Sequence, residues 1–241
     1  MQKNKAKPCV YCLDPVATTD DHVFSRKFFL DKDRGNLPKV PACTTCNGEK
    51  ARLEHYLTTV LPFGGRHPQA VPNLESAVPP RLAKNRRLHR HLVASEHAAW
   101  IRQDGGIYEP TKVVEFDGTK LKGLLKFVGR GLGWHHWKVY LRPEDDAVAL
   151  FMPDMSSALF QTLISGMRPA QRVVESLGNG TVEYVGIQAA DPPQLMVWTI
   201  SMYGGIVISD DRRTASGEAL SFTTWWVITG PRELTASFAQ L

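Results

Sequence analysis

Cys9-Val10-Tyr11-Cys12, then Asp21-His22-Val23-Phe24-Ser25-Arg26, then Cys43-Thr44-Thr45-Cys46-Asn47-Gly48-Glu49-Lys50 follow one another within the first fifty residues. All four cysteines of the chain lie in these two Cys-x-x-Cys pairs, thirty residues apart. Each pair can turn two thiolates toward one ion, so the two together read as a tetrahedral zinc site. Four sulfur ligands leave no open position, which makes the ion structural, and its binding free energy supports folding of a small module. A redox Cys-x-x-Cys needs only one pair, in a thioredoxin-like context.

The residues between and after the knuckles suit a different chemistry. Cutting a phosphodiester needs water activated on one side of phosphorus and a departing 3′-oxygen stabilised on the other. A neutral imidazole such as His22 can take the proton from water. A hard divalent cation, Mg²⁺ or Mn²⁺, can neutralise charge on the leaving oxygen, and it wants oxygen ligands. Asp21 offers a carboxylate. Asn47 offers a carbonyl oxygen from the first turn of a helix expected to start at the second knuckle, so the structural ion would pin a ligand of the catalytic one. Alternation along a strand sends Asp21 and His22 to opposite sides, so both reach one phosphate only if the strand twists or ends there. Lys50, one helical turn beyond Asn47, is a candidate phosphate contact, with Arg26 a further one.

The ordered set Asp21-His22-Val23-Phe24, Asn36-Leu37 and Cys43-x-x-Cys46-Asn47-x-x-Lys50 resembles the HNH endonucleases whose ββα-metal core is supported by a zinc ion on four cysteines. The likeness covers about residues 8–56. It implies catalytic roles for His22, Asp21, Asn36 and Asn47: His22 as general base, Asn36 as the residue that orients it, Asp21 and Asn47 as ligands of the catalytic cation. Cys9, Cys12, Cys43 and Cys46 would bind structural Zn²⁺. The third motif position is Asn47 where many members carry His, and the interval from Asn36 to Cys43 is longer than in compact members.

The expected fold class is α+β: an N-terminal ββα-metal module (1–60), a Pro/Gly-rich linker with a basic helix (61–95), and a mixed α+β domain (96–241). The linker spans 61–80 and the helix 81–95, where Arg86 and Arg87 are candidate nucleic-acid contacts. In the last domain strands are expected over 107–116, 147–152, 181–189, 194–208 and 219–229, and helices from an Asp117 N-cap to about 131 and over 155–177. Trp134-His135-His136-Trp137 reads as core rather than as a metal site. Trp225-Trp226 should face opposite sides of a sheet, so both are buried only if both faces are covered.

Charge follows the module. Residues 1–100 hold 16 Lys and Arg against 9 Asp and Glu, whereas residues 101–241 hold 13 against 15. A polyanion would therefore dock on the first half. The polar, basic N-terminus has no signal-peptide pattern, and no apolar stretch is long enough to span a bilayer, so a cytoplasmic location without membrane association is expected. DNA is the expected partner, with RNA as an alternative, and a homodimer would serve duplex cleavage. The runner-up reading is a non-catalytic zinc module that binds nucleic acid.

Overall fold

The computed structural model describes residues 7–14, 16–65, 67–102, 108–151, 164–165, 167–213 and 219–238. Its first unit is a ββα arrangement. Strand β1 (Thr19–His22) pairs antiparallel with β2 (Lys39–Ala42), and α1 (Thr44–Val60) follows directly. Pro41 is tolerated in β2 because it stands opposite Asp20 in a pair that needs no N–H from it; its carbonyl accepts from Val10 N–H at 3.0 Å instead. The Cys43 sulfur caps α1 by accepting from Cys46 N–H at 3.4 Å, so the second knuckle is also the helix start.

Residues 61–80 are not a loose linker. They run as the 3-10 turn Leu61–Gly64, the short helix α2 (Ala70–Pro72), a π turn Asn73–Ala77 and the start of α3 (Val78–Lys84), with Leu61, Ala70 and Val78 buried. The expected 81–95 helix is broken at Asn85, whose side chain caps a new helix, α4 (Arg86–Ser95), by accepting from Leu88 N–H at 3.1 Å. Arg81 donates to the carbonyls of Thr58 and Lys27, tying α3 to the ββα unit.

Strands β3 (His97–Arg102) and β4 (Tyr108–Val113) form a separate two-stranded ribbon. Helix α5 (Gly118–Trp137) begins at Asp117, which accepts from Lys120 N–H as expected, but it runs one and a half turns past 131 to include the Trp-His-His-Trp run. The remaining strands are β5 (Asp145–Phe151), β6 (Pro169–Leu177), β7 (Val182–Ala189), β8 (Met196–Met202), β9 (Ile208–Arg213), β10 (Ala219–Phe222) and β11 (Trp225–Pro231). Five make one antiparallel sheet in the order β5-β11-β8-β7-β6, and β9 pairs with β10. Of the helix expected over 155–177, residues 164, 165 and 167 are helical and 152–163 and 166 lie outside the described residues; beyond the interruption expected at Pro169 the expectation is corrected, since 169–177 is the edge strand β6. The pattern misled because β6 is mostly exposed, with only Val173 and Leu177 half-buried, and carries mixed polar and apolar residues rather than a clean alternation.

Both faces of the sheet are covered. Trp225 joins the core under α5, and Trp226 joins a second cluster with Val148, Leu150, Val197 and Ile228; both indoles are at most 1% exposed. The main core runs without interruption from Cys9 to Val227. That continuity crosses the expected boundary between residues 1–60 and 96–241. The Tyr11 and Phe127 rings meet edge-on at 5.0 Å, Phe24 stacks on Tyr184 at 5.8 Å, Arg130 donates to Tyr11 O at 3.0 Å, and Tyr203 Oη–H donates to Phe28 O at 2.6 Å.

Gly131 lets α5 approach the ββα unit. A Cβ there would meet Val23 Cγ2 at 2.9 Å, and Val23 is fully buried and stiff at χ1. Gly131→Val should therefore destabilise the chain by about 1–3 kcal/mol despite its higher helix propensity. A urea melt followed by tryptophan fluorescence measures this, and an unchanged midpoint would contradict the close packing.

Candidate functional site

The four cysteine sulfurs converge. Their Sγ atoms all lie within 4.8 Å of one another, and those of Cys12 and Cys43 are 3.8 Å apart. A tetrahedral Zn²⁺ with bonds of about 2.3 Å needs sulfurs about 3.8 Å apart, so the cluster could hold a metal ion such as zinc. No disulfide consumes any of them. The first knuckle turns through Leu13, at φ +63°, with Leu13 N–H donating to Cys9 O at 2.9 Å, and the Pro8–Val16 bridge closes its base. The ion would thus join the first loop, the end of β2 and the start of α1. The reduced protein should carry about one zinc per chain. Cys43→Ser should lose that zinc and lower the thermal midpoint, with metal content read by mass spectrometry.

Behind β1 lies a buried charged cluster. Thr19 and Asp21 face α1, two residues apart on one side of the strand. Lys50 is fully buried, and its ammonium donates to His22 O at 2.6 Å and to Glu54 Oε1 at 2.5 Å, and lies 3.0 Å from Asp21 Oδ2. Tyr11 Oη–H donates to the same Asp21 oxygen at 2.6 Å. Burial raises the Glu54 carboxyl above its ordinary value, with Lys50 opposing. Burial followed by the Asp21 charge keeps the Tyr11 phenol protonated. The phosphate contact expected of Lys50 is therefore corrected: its three donors are spent inside the protein.

Asn47 sits where expected, in the first turn of α1, half-buried, with its amide donating to Thr19 Oγ1 at 3.2 Å. Asp21 and Asn47 thus both lie between β1 and α1. Each has a partner on one polar atom, the arrangement that orients metal-ligating oxygens. A carboxylate oxygen of Asp21 and the Asn47 amide oxygen are hard donors of the kind a divalent cation takes.

His22 is the last residue of β1, half-buried and opposite the exposed Lys39. Its imidazole is held below the ordinary value by burial, then by the cations of Lys39 and Arg26, with Asp21 pulling upward. Among the described residues no hydrogen bond links Asn36 to it. Asn36 is exposed in the left-handed turn at φ +55° that leads into β2, a conformation its short polar side chain tolerates. That requirement of the turn accounts for the residue, and among the described residues the group holding His22 is Lys50, through the backbone. Arg26 is exposed beside His22, and Arg86 and Arg87 are exposed on α4. An open groove there is lined by Leu82, Ala83, Arg86, His89 and Arg90.

Sequence reasoning missed Tyr11, Glu54 and Lys39. Glu54 had a signal, its i,i+4 spacing from Lys50. Tyr11 and Lys39 are found only once the strand register is known. The Trp-His-His-Trp run packs against the sheet: Trp137 stacks on Trp198 at 4.8 Å, and His136 meets Tyr184 Oη at 2.9 Å. Burial, then His135 and Lys138, push the His136 imidazole down to about 4.

Comparison with protein-family models, with curated proteins and with solved structures returned no match.

Removing the Lys50 ammonium would strand two buried carboxylates. Lys50→Ala should cost about 3–5 kcal/mol, as for other broken buried ion pairs. Chemical denaturation measures it, and a cost below that of an exposed lysine would show the cluster to be hydrated.

Proposed function

We propose that the chain is a metal-dependent endonuclease of the HNH type that hydrolyses DNA phosphodiester bonds. The observation that carries this reading is the placement, on one ββα unit tied to the cysteine cluster, of Asp21 and His22 side by side at the end of β1, with Asn47 held to the same strand from the first turn of α1. His22 takes the proton from the attacking water. Lys50 holds the His22 carbonyl, so the imidazole is presented from a backbone that is itself anchored. Asp21 and Asn47 would hold Mg²⁺ or Mn²⁺, which supplies charge neutralisation at the scissile phosphate and leaving oxygen. The product would carry a 5′-phosphate and a 3′-hydroxyl. One site cuts one strand, so duplex cleavage calls for a homodimer or two encounters.

The basic first half of the chain, with Arg26, Arg86 and Arg87 exposed, supports a polyanionic substrate. The deep engagement of Asp21 with Tyr11 and Lys50 favours a second reading, a zinc-supported module that binds nucleic acid without cutting it.

Plasmid relaxation with and without Mg²⁺ separates the two. The nuclease nicks only with the metal, and His22→Ala slows it by about 10²–10⁴-fold, the usual worth of a general base. Since the folded His22 pKa lies below the ordinary 6.5, the competent neutral form prevails above that pH, and the rate falls as pH drops through the lowered value. Equal rates for His22→Ala and wild type would remove the nuclease reading. RNA offered in parallel tests the alternative substrate.

A further inference from the structure

The open face of the β1–β2 ribbon carries two cations close to His22. Val23 N–H donates to Pro38 O at 2.9 Å, which marks 23 and 38 as a hydrogen-bonded pair. The next pair along, His22 opposite Lys39, is then a non-hydrogen-bonded pair, the kind whose Cα atoms stand only about 4.5 Å apart. Side chains directly opposite share a face, so Lys39 flanks the imidazole. Arg26 opens the 3-10 turn Arg26–Phe28 just after His22. Both are exposed. Among the described residues neither makes an ion pair, whereas Lys50 spends its charge on Asp21 and Glu54. Two such cations beside an imidazole make a locally positive patch that an anion would relieve.

We propose that Lys39 and Arg26 together hold a backbone phosphate of the nucleic acid against His22, the place that the sequence suggested for Lys50. The inference rests on the nuclease reading and assigns its phosphate subsite. The two residues differ in kind. Arg26 presents a fork that matches two phosphate oxygens, and Lys39 presents a compact charge on a flexible stem. The strand that carries Lys39 is held on both edges, by its pairing with β1 at the neighbouring Pro38 and by the imidazole of His135, at the end of α5, on the Lys39 backbone. The Val10 N–H to Pro41 O bond holds that same outer edge of β2 two residues on. A charge on a ribbon clamped in this way keeps its distance from His22 when substrate arrives.

The test uses the full chain carrying His22→Ala, with zinc retained and Mg²⁺ present, so that a labelled DNA duplex binds without being cut. Fluorescence anisotropy across about 50–200 mM salt yields the slope of log affinity against log salt, which falls by about 0.9 for each phosphate that the protein no longer neutralises. Lys39→Ala and Arg26→Ala should each lower the slope by about that amount. Lys126→Ala, an exposed lysine of α5, should leave it unchanged. Lys39→Arg should keep the parent slope, which separates the loss of charge from a loss of structure. In the His22 protein, Lys39→Ala should raise KM more than it lowers kcat. If the Lys39→Ala and Arg26→Ala slopes match the parent while the His22 protein still cuts DNA with Mg²⁺, the subsite is overturned and the nuclease reading stands. If the parent binds neither duplex DNA nor RNA, both fall together.

Discussion

A fully buried ammonium has to find its charge partners inside the protein, and the first half of this structure is arranged around that requirement. Lys50 reaches from the second turn of α1 to Asp21 and to the His22 carbonyl on β1, and back to Glu54 on its own helix. Leaving any of these groups unpaired in a desolvated interior costs more than a typical hydrogen bond returns. The cluster therefore sets the rotation of α1 against β1 and, with it, which side of β1 faces water. The cysteine cluster acts one turn earlier, at the N-terminus of the same helix. With the helix held at both places, Asn47 between them has little freedom to move.

The second half of the chain does not stand apart from this unit. The core that begins at Cys9 ends at Val227, and α5 lies between the ribbon and the five-stranded sheet. Tyr11 shows how closely the parts are joined. It sits within the first knuckle, orients Asp21 through its hydroxyl, and packs its ring on Phe127 of α5. Changes deep in α5 can thus reach the candidate site through a few stiff contacts, and the sheet serves as the platform that keeps the ribbon from flexing.

Burying one cation between two carboxylates carries a cost. Desolvation raises Glu54, so the cluster holds together as a balance of opposing charges rather than as a simple pair. In return the open side of the ribbon is left with a neutral imidazole and two exposed cations. Charge is sorted by face: Asp21 and Glu54 point inward to Lys50, and the bases at Lys39 and Arg26 point outward beside His22. A polyanion would meet the outward face.

Local chemistry made part of this legible from residues alone. Two Cys-x-x-Cys pairs can bring four sulfurs together because each short loop presents two at once, and the sulfurs do converge. The Asp117 cap and the helix after it also followed from short-range pattern, since a cap is a property of a few consecutive residues, whereas the burial of both Trp225 and Trp226 was decided by the cover on both faces of the sheet. What spacing could not decide was direction. Lys50 lies one turn beyond Asn47 whether it points to solvent or to the core, and only the packing of α1 on β1 chose the core. Lys39 gained its place beside His22 from the register of β2, and Asn36 was claimed by a left-handed turn. The edge strand 169–177, mostly exposed and mixed in polarity, took its conformation from pairing with β7, because a strand is stabilised by a neighbouring strand, whereas a knuckle or a cap carries its own partners.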